Sequence, residues 1–438
     1  MRLVLFTKEY PYGTRETYVE EELRVFSREF DEVIVLPYWI FSENDRRTTP
    51  ANVRILGPKL KRLSVMAKLR REWECTRMFA HQLLFGRDKI RHLKRLKTFY
   101  IQLRTLYAWS ETLANFLAIL SEKDQKNVVL HDYWMHNGVI IGGMLRKRLN
   151  RKFQLSCQAH ALDLYHSDLI KIQPMVDDFL PFEEVKLALS DRIFCISQHG
   201  QQFLKTKYPK RAHKIDLLRL GAIDAGEHYV NRKSESTHVL VSCSKLTENK
   251  RIHIIPEILT HLKTPFHWYH FGDGDMHITN LLIEAVRKHK IEQSFTLMGW
   301  TSNAAILKFY REHSVSFFLN VSRVEGIPVA MMEAASFSIP LLGTDTVGVP
   351  EIVSNSSGIL VPVDFNPVEC GKKLNYVLEN RNELQKLQRG ARKVFLERYN
   401  SETNYTHLSR MLKLRFTNNT FHHETEPLTN NLPNHATS

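Results

Sequence analysis

Two series of short apolar runs, each run bounded by glycine or polar residues and most of them followed by helix-length sequence, restrict this chain to very few architectures. The first series opens at Arg2 to Phe6, continues through a Pro/Gly loop (Tyr10 to Thr14) and a helical stretch from Thr17 to Phe30, and returns to a strand pattern at Val33 to Pro37. Similar runs follow at Val128 to His131, Phe153 to Cys157, Arg192 to Ser197 and Ile215 to Leu220. The second series begins near His238 and reads VLVSCS, FHWYHFG, FTLMG, VSFFLN, PLLG and GILVP. Near-continuous apolar strands alternating with helices suit a parallel sheet, whose crossover helices shield both faces from water. The polar stretch Asp224 to Ser236 (DAGEHYVNRKSES) separates the two series. We therefore expect an α/β protein of two doubly wound Rossmann-like domains, 1–225 and 237–398, with a helix over 399–415 packing back on the first. Ligands of such sheets bind outside the carboxyl ends of the strands, so two facing domains would enclose a cleft. A basic helical insert (59–120) and a tail rich in Asn, Thr and His (416–438) stand outside the alternation, and the tail is expected to be disordered.

Charge and cysteine usage narrow the setting. The 438 residues carry 61 Lys/Arg against 47 Asp/Glu, a formal net charge of +14, which favours an anionic partner. Five cysteines stand singly, with no CxxC pair, so neither a disulfide framework nor a zinc module is expected. The opening MRLVLFTKEY lacks the apolar core of a signal peptide, and no run approaches the roughly 18 uninterrupted apolar residues of a membrane span. The expected setting is the cytoplasm, with peripheral contact to the inner face of a membrane at most.

The densest chemistry lies between Val315 and Val353 (VSFFLNVSRVEGIPVAMMEAASFSIPLLGTDTVGVPEIV). It reads as strand, loop, helix from Pro328 to Phe337, then strand. Pro328 suits the first turn of a helix, where a missing N–H is no loss, and the free N–H groups there form an anion site. Glu325 stands just before that helix and Glu333 inside it. Carboxylates so placed can accept from sugar hydroxyls and from the diol of a ribose; alone they could equally be a helix cap and a solvated surface residue.

In its surroundings, however, Glu325, seven residues, Glu333 resembles the donor-site signature of family 4 glycosyltransferases, retaining enzymes of the GT-B fold. The resemblance is strongest from Val241 to Pro362. It implies that Glu325 contacts the transferred sugar, that Glu333 contacts the nucleotide ribose, and that backbone N–H groups around Gly326 and Ile327 meet sugar and phosphate. Lys245 and Lys250 fall where the family has an Arg and a Lys gripping the donor diphosphate; the lysine at 245 lacks the bidentate fork of arginine. Asp273 and Asp275 (FGDGD) could pass for a metal-binding pair, but their place after a strand and before a helix matches a tight turn, so no metal is expected. Gly299-Trp300-Thr301 matches a stretch lining the base pocket. Gly343 and Gly348 look like tight-approach glycines, and Glu351 is expected to fix its loop.

In the first half, Gly13, Thr14, Arg15 and Glu16 form a loop that in related enzymes borders the acceptor, with Thr14 and Thr17 as candidate caps. His160, in QAHALD, is similar to the family's His-Gly-x-Asp segment and would lie beneath the transferred sugar, with Ala161 in place of glycine. His131 and His136 end another strand, and Ser197 is expected to cap a helix. The implied activity is metal-independent, cofactor-free, hexosyltransferase-type transfer with retention, from a UDP- or GDP-sugar to a saccharide or lipid-linked acceptor in polysaccharide or glycoconjugate assembly. His160, Glu325 and Lys250 are the catalytic candidates, and the family's usual route is front-face attack. A catalytically silent nucleotide-sugar-binding protein and a sugar-nucleotide epimerase of the same fold are the alternatives. From Lys59 to Arg104 there are 14 Lys/Arg against three acids, with Ile90, Leu93, Leu96 and Tyr100 at helical spacing. Such a segment suits an anionic membrane surface. No zinc spacing or recognition element supports nucleic acid as the partner.

Overall fold

The computed structural model describes residues 1–13, 16, 18–39, 46–57, 64–85, 93–119, 127–165, 182–226 and 237–414. Each apolar series forms a parallel sheet. The first has strands β1 (Arg2–Thr7), β2 (Glu32–Pro37), β3 (Val53–Ile55), β4 (Val128–Asp132), β5 (Gln154–Ala159), β6 (Arg192–Cys195) and β7 (Ile215–Leu217), in the order β3-β2-β1-β4-β5-β6-β7. The second has β8 (His238–Cys243), β9 (Phe266–Phe271), β10 (Phe295–Gly299), β11 (Val315–Leu319), β12 (Leu341–Thr344) and β13 (Gly358–Val361), in the order β10-β9-β8-β11-β12-β13. In β1, Val4 pairs with Ile34 on one side and Leu130 on the other. The apolar pattern missed β3 because this edge strand is only three residues long and buries Val53 alone.

The helices of the first half are α1 (Tyr18–Glu29), α2 (Val65–Phe85), α3 (Leu93–Ala118), α4 (Asn137–Leu149), α5 (Ala161–Leu164), α6 (Glu183–Leu189) and α7 (Gln198–Lys207). The second half adds α8 (Ile255–Leu259), α9 (Met276–Lys288), α10 (Asn303–Glu312), α11 (Val329–Ser336), α12 (Pro367–Glu379), α13 (Arg381–Arg398) and α14 (Ser401–Lys413). They cover both faces of each sheet. On the first, Val4, Leu130 and Leu155 pack under Leu103 and Val139, while Leu3 and Leu5 pack under Val19 and Phe26. On the second, Val241 and Phe318 pack with Met331 and Phe395, and Leu240 and Phe317 with Ile258 and Leu282. Burial on both faces is why the strands read as unbroken apolar runs.

The chain then returns from the second sheet to the first. Helix α14 lies on α1, burying Leu408 and Leu412 in the cluster around Phe26. Arg28 reaches both carboxylate oxygens of Glu402 at 2.6 Å, and Lys413 meets Glu29 at 2.8 Å. The crossing is tight at Gly221, where a Cβ would fall 2.4 Å from the Ser401 Cα.

In the basic insert, α2 and α3 pack against each other through Phe79, whose ring meets those of Phe99 and Tyr100. The Tyr100 hydroxyl donates to Glu72 at 2.8 Å. Tyr100, read from the sequence as part of a surface stripe, is thus turned toward α2. Ile90 and the side chain of Leu93 lie outside the described residues, as does the tail from 415 onward. Among the described residues, no helix is long and apolar enough to cross a membrane.

Candidate functional site

In each sheet the strand order reverses at one place, between β1 and β4 and between β8 and β11. Loops leaving neighbouring strands part there and open a crevice at the carboxyl ends. In the second sheet the two loops are Ser244–Lys250 and Asn320–Pro328. Asn249 joins them: its Nδ2 donates to the Val324 carbonyl and its Oδ1 accepts from the Val324 N–H, both at 3.0 Å, and its own carbonyl accepts from the Arg323 N–H at 2.9 Å. The next residue, Lys250, is thereby set opposite Glu325. Its ammonium donates to Glu325 Oε1, which also accepts from the Ser322 hydroxyl at 2.9 Å. Beneath them Thr344 Oγ1 donates to the Ser322 carbonyl at 2.6 Å, and the buried Arg251 donates to the carbonyls of Val321 and Val363. Lys245 is exposed and makes no ion pair among the described residues.

The loop after β11 is held by close backbone packing. A Cβ on Gly348 would lie 2.0 Å from the Gly326 carbonyl oxygen, so only glycine fits. Gly326 itself faces the first domain, where a Cβ would stand 3.2 Å from that of Ala161. The helix starts one residue later than expected. Pro328 is extended (φ −66°, ψ 125°) and is the N-cap, its carbonyl accepting from the Met331 and Met332 N–H groups. The expected helix of Pro328 to Phe337 is therefore Val329–Ser336. No side chain caps it, which leaves first-turn N–H groups suited to an anion. Ile327 is buried between the Glu325 loop and the second core.

Glu333 lies beside the first residue of α10, accepting from Asn303 Nδ2 at 2.6 Å. Burial pushes its carboxyl up to about 7, against the opposing pull of the Asn303 hydrogen bond. It lines a cleft of about 530 Å³ whose walls include Tyr18 and Glu21 of α1, Ile223, and Leu307 and Arg311 of α10. The cleft therefore spans both domains.

The turn at Phe271–Asp275 is set by backbone packing. Gly272 has φ 134°, and a Cβ there would lie 1.9 Å from the Ser244 carbonyl oxygen. Asp275 caps α9, its Oδ1 accepting from the His277 N–H at 2.7 Å. Gly299 turns at φ 65°, and the indole of Trp300 beside it is exposed.

In the first domain Glu16 joins the two loops of the switch point. Its buried carboxylate accepts from the N–H groups of Lys8, Glu9 and Tyr10 and from Trp134 Nε1 at 2.6 Å. Expected as an acceptor contact, it is fully engaged in holding the loop after β1 to the loop after β4. Gly13 has φ 65°, and Thr14, Arg15 and Thr17 lie outside the described residues. His160 packs against the rings of Tyr133 and Trp134. Its Nε2 lies 2.9 Å from the Tyr133 carbonyl, which can only accept, so the ring carries its proton on Nε2. Burial pushes its pKa down to about 3, so the ring is neutral at physiological pH. Its backbone N–H donates to Asp163.

His131, also neutral, contacts Ser156 and Gln158 inside the domain, and His136 stacks on Tyr38. Ser197 caps α7 through the Gly200 N–H. Glu351 does more than fix its loop. One oxygen accepts from the His199 N–H and the other from Arg219, so it latches the second domain to the first turn of α7. Asn249, Ser322, Asn303 and Trp134 were missed in the sequence. Only Asn249, adjacent to Lys250, carried any signal there.

Comparison with known proteins agrees with this layout. Residues 227–394 match the family described as glycosyl transferases group 1. The fold is GT-B. The matched stretch holds both the Lys250 and the Glu325 loop. The amylovoran biosynthesis glycosyltransferase AmsK of Erwinia amylovora is 27% identical over 34% of this chain and 39% of its own length, so the chain spans well under half of that relative. The sucrose-phosphate synthase of Thermosynechococcus elongatus superposes with a TM-score of 0.68 at 12% identity, over 94% of this chain and 98% of its own. HepE of Anabaena, solved in complex with UDP-glucose, does so with 0.61 at 13%, over 94% and 99%.

Proposed function

We propose that this protein moves a sugar, with retention at the anomeric carbon, from a UDP- or GDP-sugar to a saccharide or lipid-linked saccharide during polysaccharide or glycoconjugate assembly. The observation that carries the reading is the meeting of Lys250, Ser322 and Glu325 at the switch-point crevice, with Glu333 farther along α11 on the cleft. AmsK, named for amylovoran biosynthesis, and HepE, complexed with UDP-glucose, support a glycan product and a nucleotide-sugar donor. In this reading Lys250 exchanges Glu325 for the donor diphosphate, Lys245 adds a second ammonium, and the uncapped start of α11 faces the departing phosphate. Glu325, released, accepts from a hydroxyl of the transferred sugar, and Glu333 accepts from the ribose diol. Gly299 and Trp300 border the base. His160, neutral at physiological pH, positions a sugar hydroxyl and does not serve as a charged acid. The leaving phosphate takes the acceptor proton, on the front-face route that the resemblance implies.

The proposal includes neither metal nor cofactor; the turn acid Asp275 is committed to capping α9. It places the acceptor at an anionic membrane face, because residues 59–104 hold 14 Lys/Arg against three acids. The test is incubation with UDP-, GDP- and ADP-sugars, with and without EDTA and with a lipid-linked saccharide acceptor, followed by anomeric analysis of the product. Transfer with retention that survives EDTA is expected. Binding without turnover would favour the catalytically silent alternative, and inversion would remove the retaining assignment.

A further inference from the structure

The outward face of α2 carries an apolar stripe that no described residue of the domain covers. Cys75 and Gln82 of this helix are buried, and Met78 packs on the core. On the opposite side Val65 is 72% exposed, Met66 74%, Leu69 61%, Trp73 69% and Leu84 74%. At 100° per residue these five fall within about one third of the circumference, on the face opposite Cys75 and Met78. The stripe runs for roughly 30 Å, at 1.5 Å of rise per residue. Lys68 and Arg70 flank it on either side, exposed and without an ion pair among the described residues. This is not the stripe that the sequence suggested, since Tyr100 is turned against Phe79 and Glu72.

We propose that α2 lies flat in the surface of an anionic bilayer, with Leu69 and Trp73 in the acyl boundary and Lys68 and Arg70 at the lipid phosphates. The inference deepens the membrane-surface reading given above and rests on it, not on the chemistry of transfer. Charge selects the occupant. A helix with a long apolar face between cations, in a segment of 14 Lys/Arg and three acids, matches a negatively charged lipid surface. Tryptophan is favoured where hydrocarbon meets headgroups. The geometry also serves the cleft. Gln82, near the end of α2, accepts from the Phe182 N–H. Phe182 opens α6, whose Lys186 donates to the Met135 carbonyl in the loop after β4, so the end of α2 lies on the side of the sheet where the strands have their carboxyl ends.

The test uses the full chain with sedimenting vesicles of phosphatidylcholine, with and without phosphatidylglycerol, and needs neither donor nor acceptor. Binding to the anionic vesicles alone is expected. It should fall at least about tenfold in Leu69→Asp/Trp73→Asp, with thermal melting unchanged because both side chains are exposed. A blue shift of indole fluorescence on vesicles should disappear in Trp73→Phe. Equal sedimentation of the double variant would overturn the stripe while leaving the charge-based surface standing. Failure of the wild type to bind anionic vesicles would overturn both, and a concentration-dependent dimer abolished by the double variant would then give the face to a second copy. A chain that binds vesicles as expected but moves no sugar would overturn only the transferase reading.

Discussion

Glu325 and Lys250 hold each other in place through one carboxylate oxygen, with Ser322 sharing it. Removing either residue takes away a group placed to meet charge or hydroxyls at the crevice. Glu325→Ala and Lys250→Ala are each expected to lower transfer by about 10²-fold or more, with circular dichroism unchanged; undiminished transfer by either would refute the site. Glu333 adds a dependence on pH. Its carboxyl sits at about 7, so protons bind it as pH falls below neutrality, and the protonated form can no longer accept through both oxygens. The donor KM should therefore rise as pH falls through about 7. Asn303→Ala removes a hydrogen bond that favours the ionised form, so it should move this limb to higher pH. A donor KM flat across a pH series would remove Glu333 from the ribose.

Elements set these residues in place through contacts that admit little change. Gly348 is packed against the Gly326 carbonyl, and Gly348→Ala would force the Glu325 loop to move. The expected result is a lower Tm together with lost transfer, checked by thermal melting and initial rates. Helix α1 buries a different kind of group. Glu22 is fully buried, accepts from Gln158 Nε2 at 2.7 Å, and is pushed up to about 8 by burial. A carboxyl raised in the folded state binds protons more tightly there than in the unfolded chain. Its stabilising contribution is complete below the ordinary glutamate range and is lost as pH rises through about 8. Glu22→Gln keeps an acceptor for Gln158 Nε2 and cannot ionise. The variant should melt higher than wild type at alkaline pH and differ little from it in acid. An unchanged difference across pH would show that Glu22 does not titrate in this range.

At the scale of the whole molecule, described residues of the two domains meet at several points. Glu351 accepts from the His199 N–H and Arg219, Gly326 faces Ala161, and α14 ties the end of the chain to α1. Glu351→Ala should loosen the cleft: a larger radius of gyration by X-ray scattering and a higher donor KM, with each domain core intact. Leu408→Ala leaves a cavity between α14 and α1 and should cost about 2–5 kcal/mol, read from denaturant melts. Scattering unchanged by the Glu351 variant would place the domain clamp in α14 instead.

Much of this architecture was legible in the chain itself. Runs such as VSFFLN and PLLG are apolar on every side because they are covered on every side, and twelve of the strands in the two sheets showed as apolar runs. The dense motif from Glu325 to Glu333 likewise marked its loop and helix, because the spacing along a helix is local. Asn249 against Val324 and Lys250 against Glu325 are 75 residues apart in the chain. They meet only because β8 and β11 are neighbours while the sheet order reverses between them. The same holds for Glu16, whose carboxylate the Trp134 loop claims, and for the face of α2 left bare once Phe79 and Tyr100 had found each other. Local sequence sets periodicity and turn chemistry, since those depend on neighbouring residues. Which side chain finds a partner, and which is left for a ligand or a lipid, depends on groups that folding alone brings together.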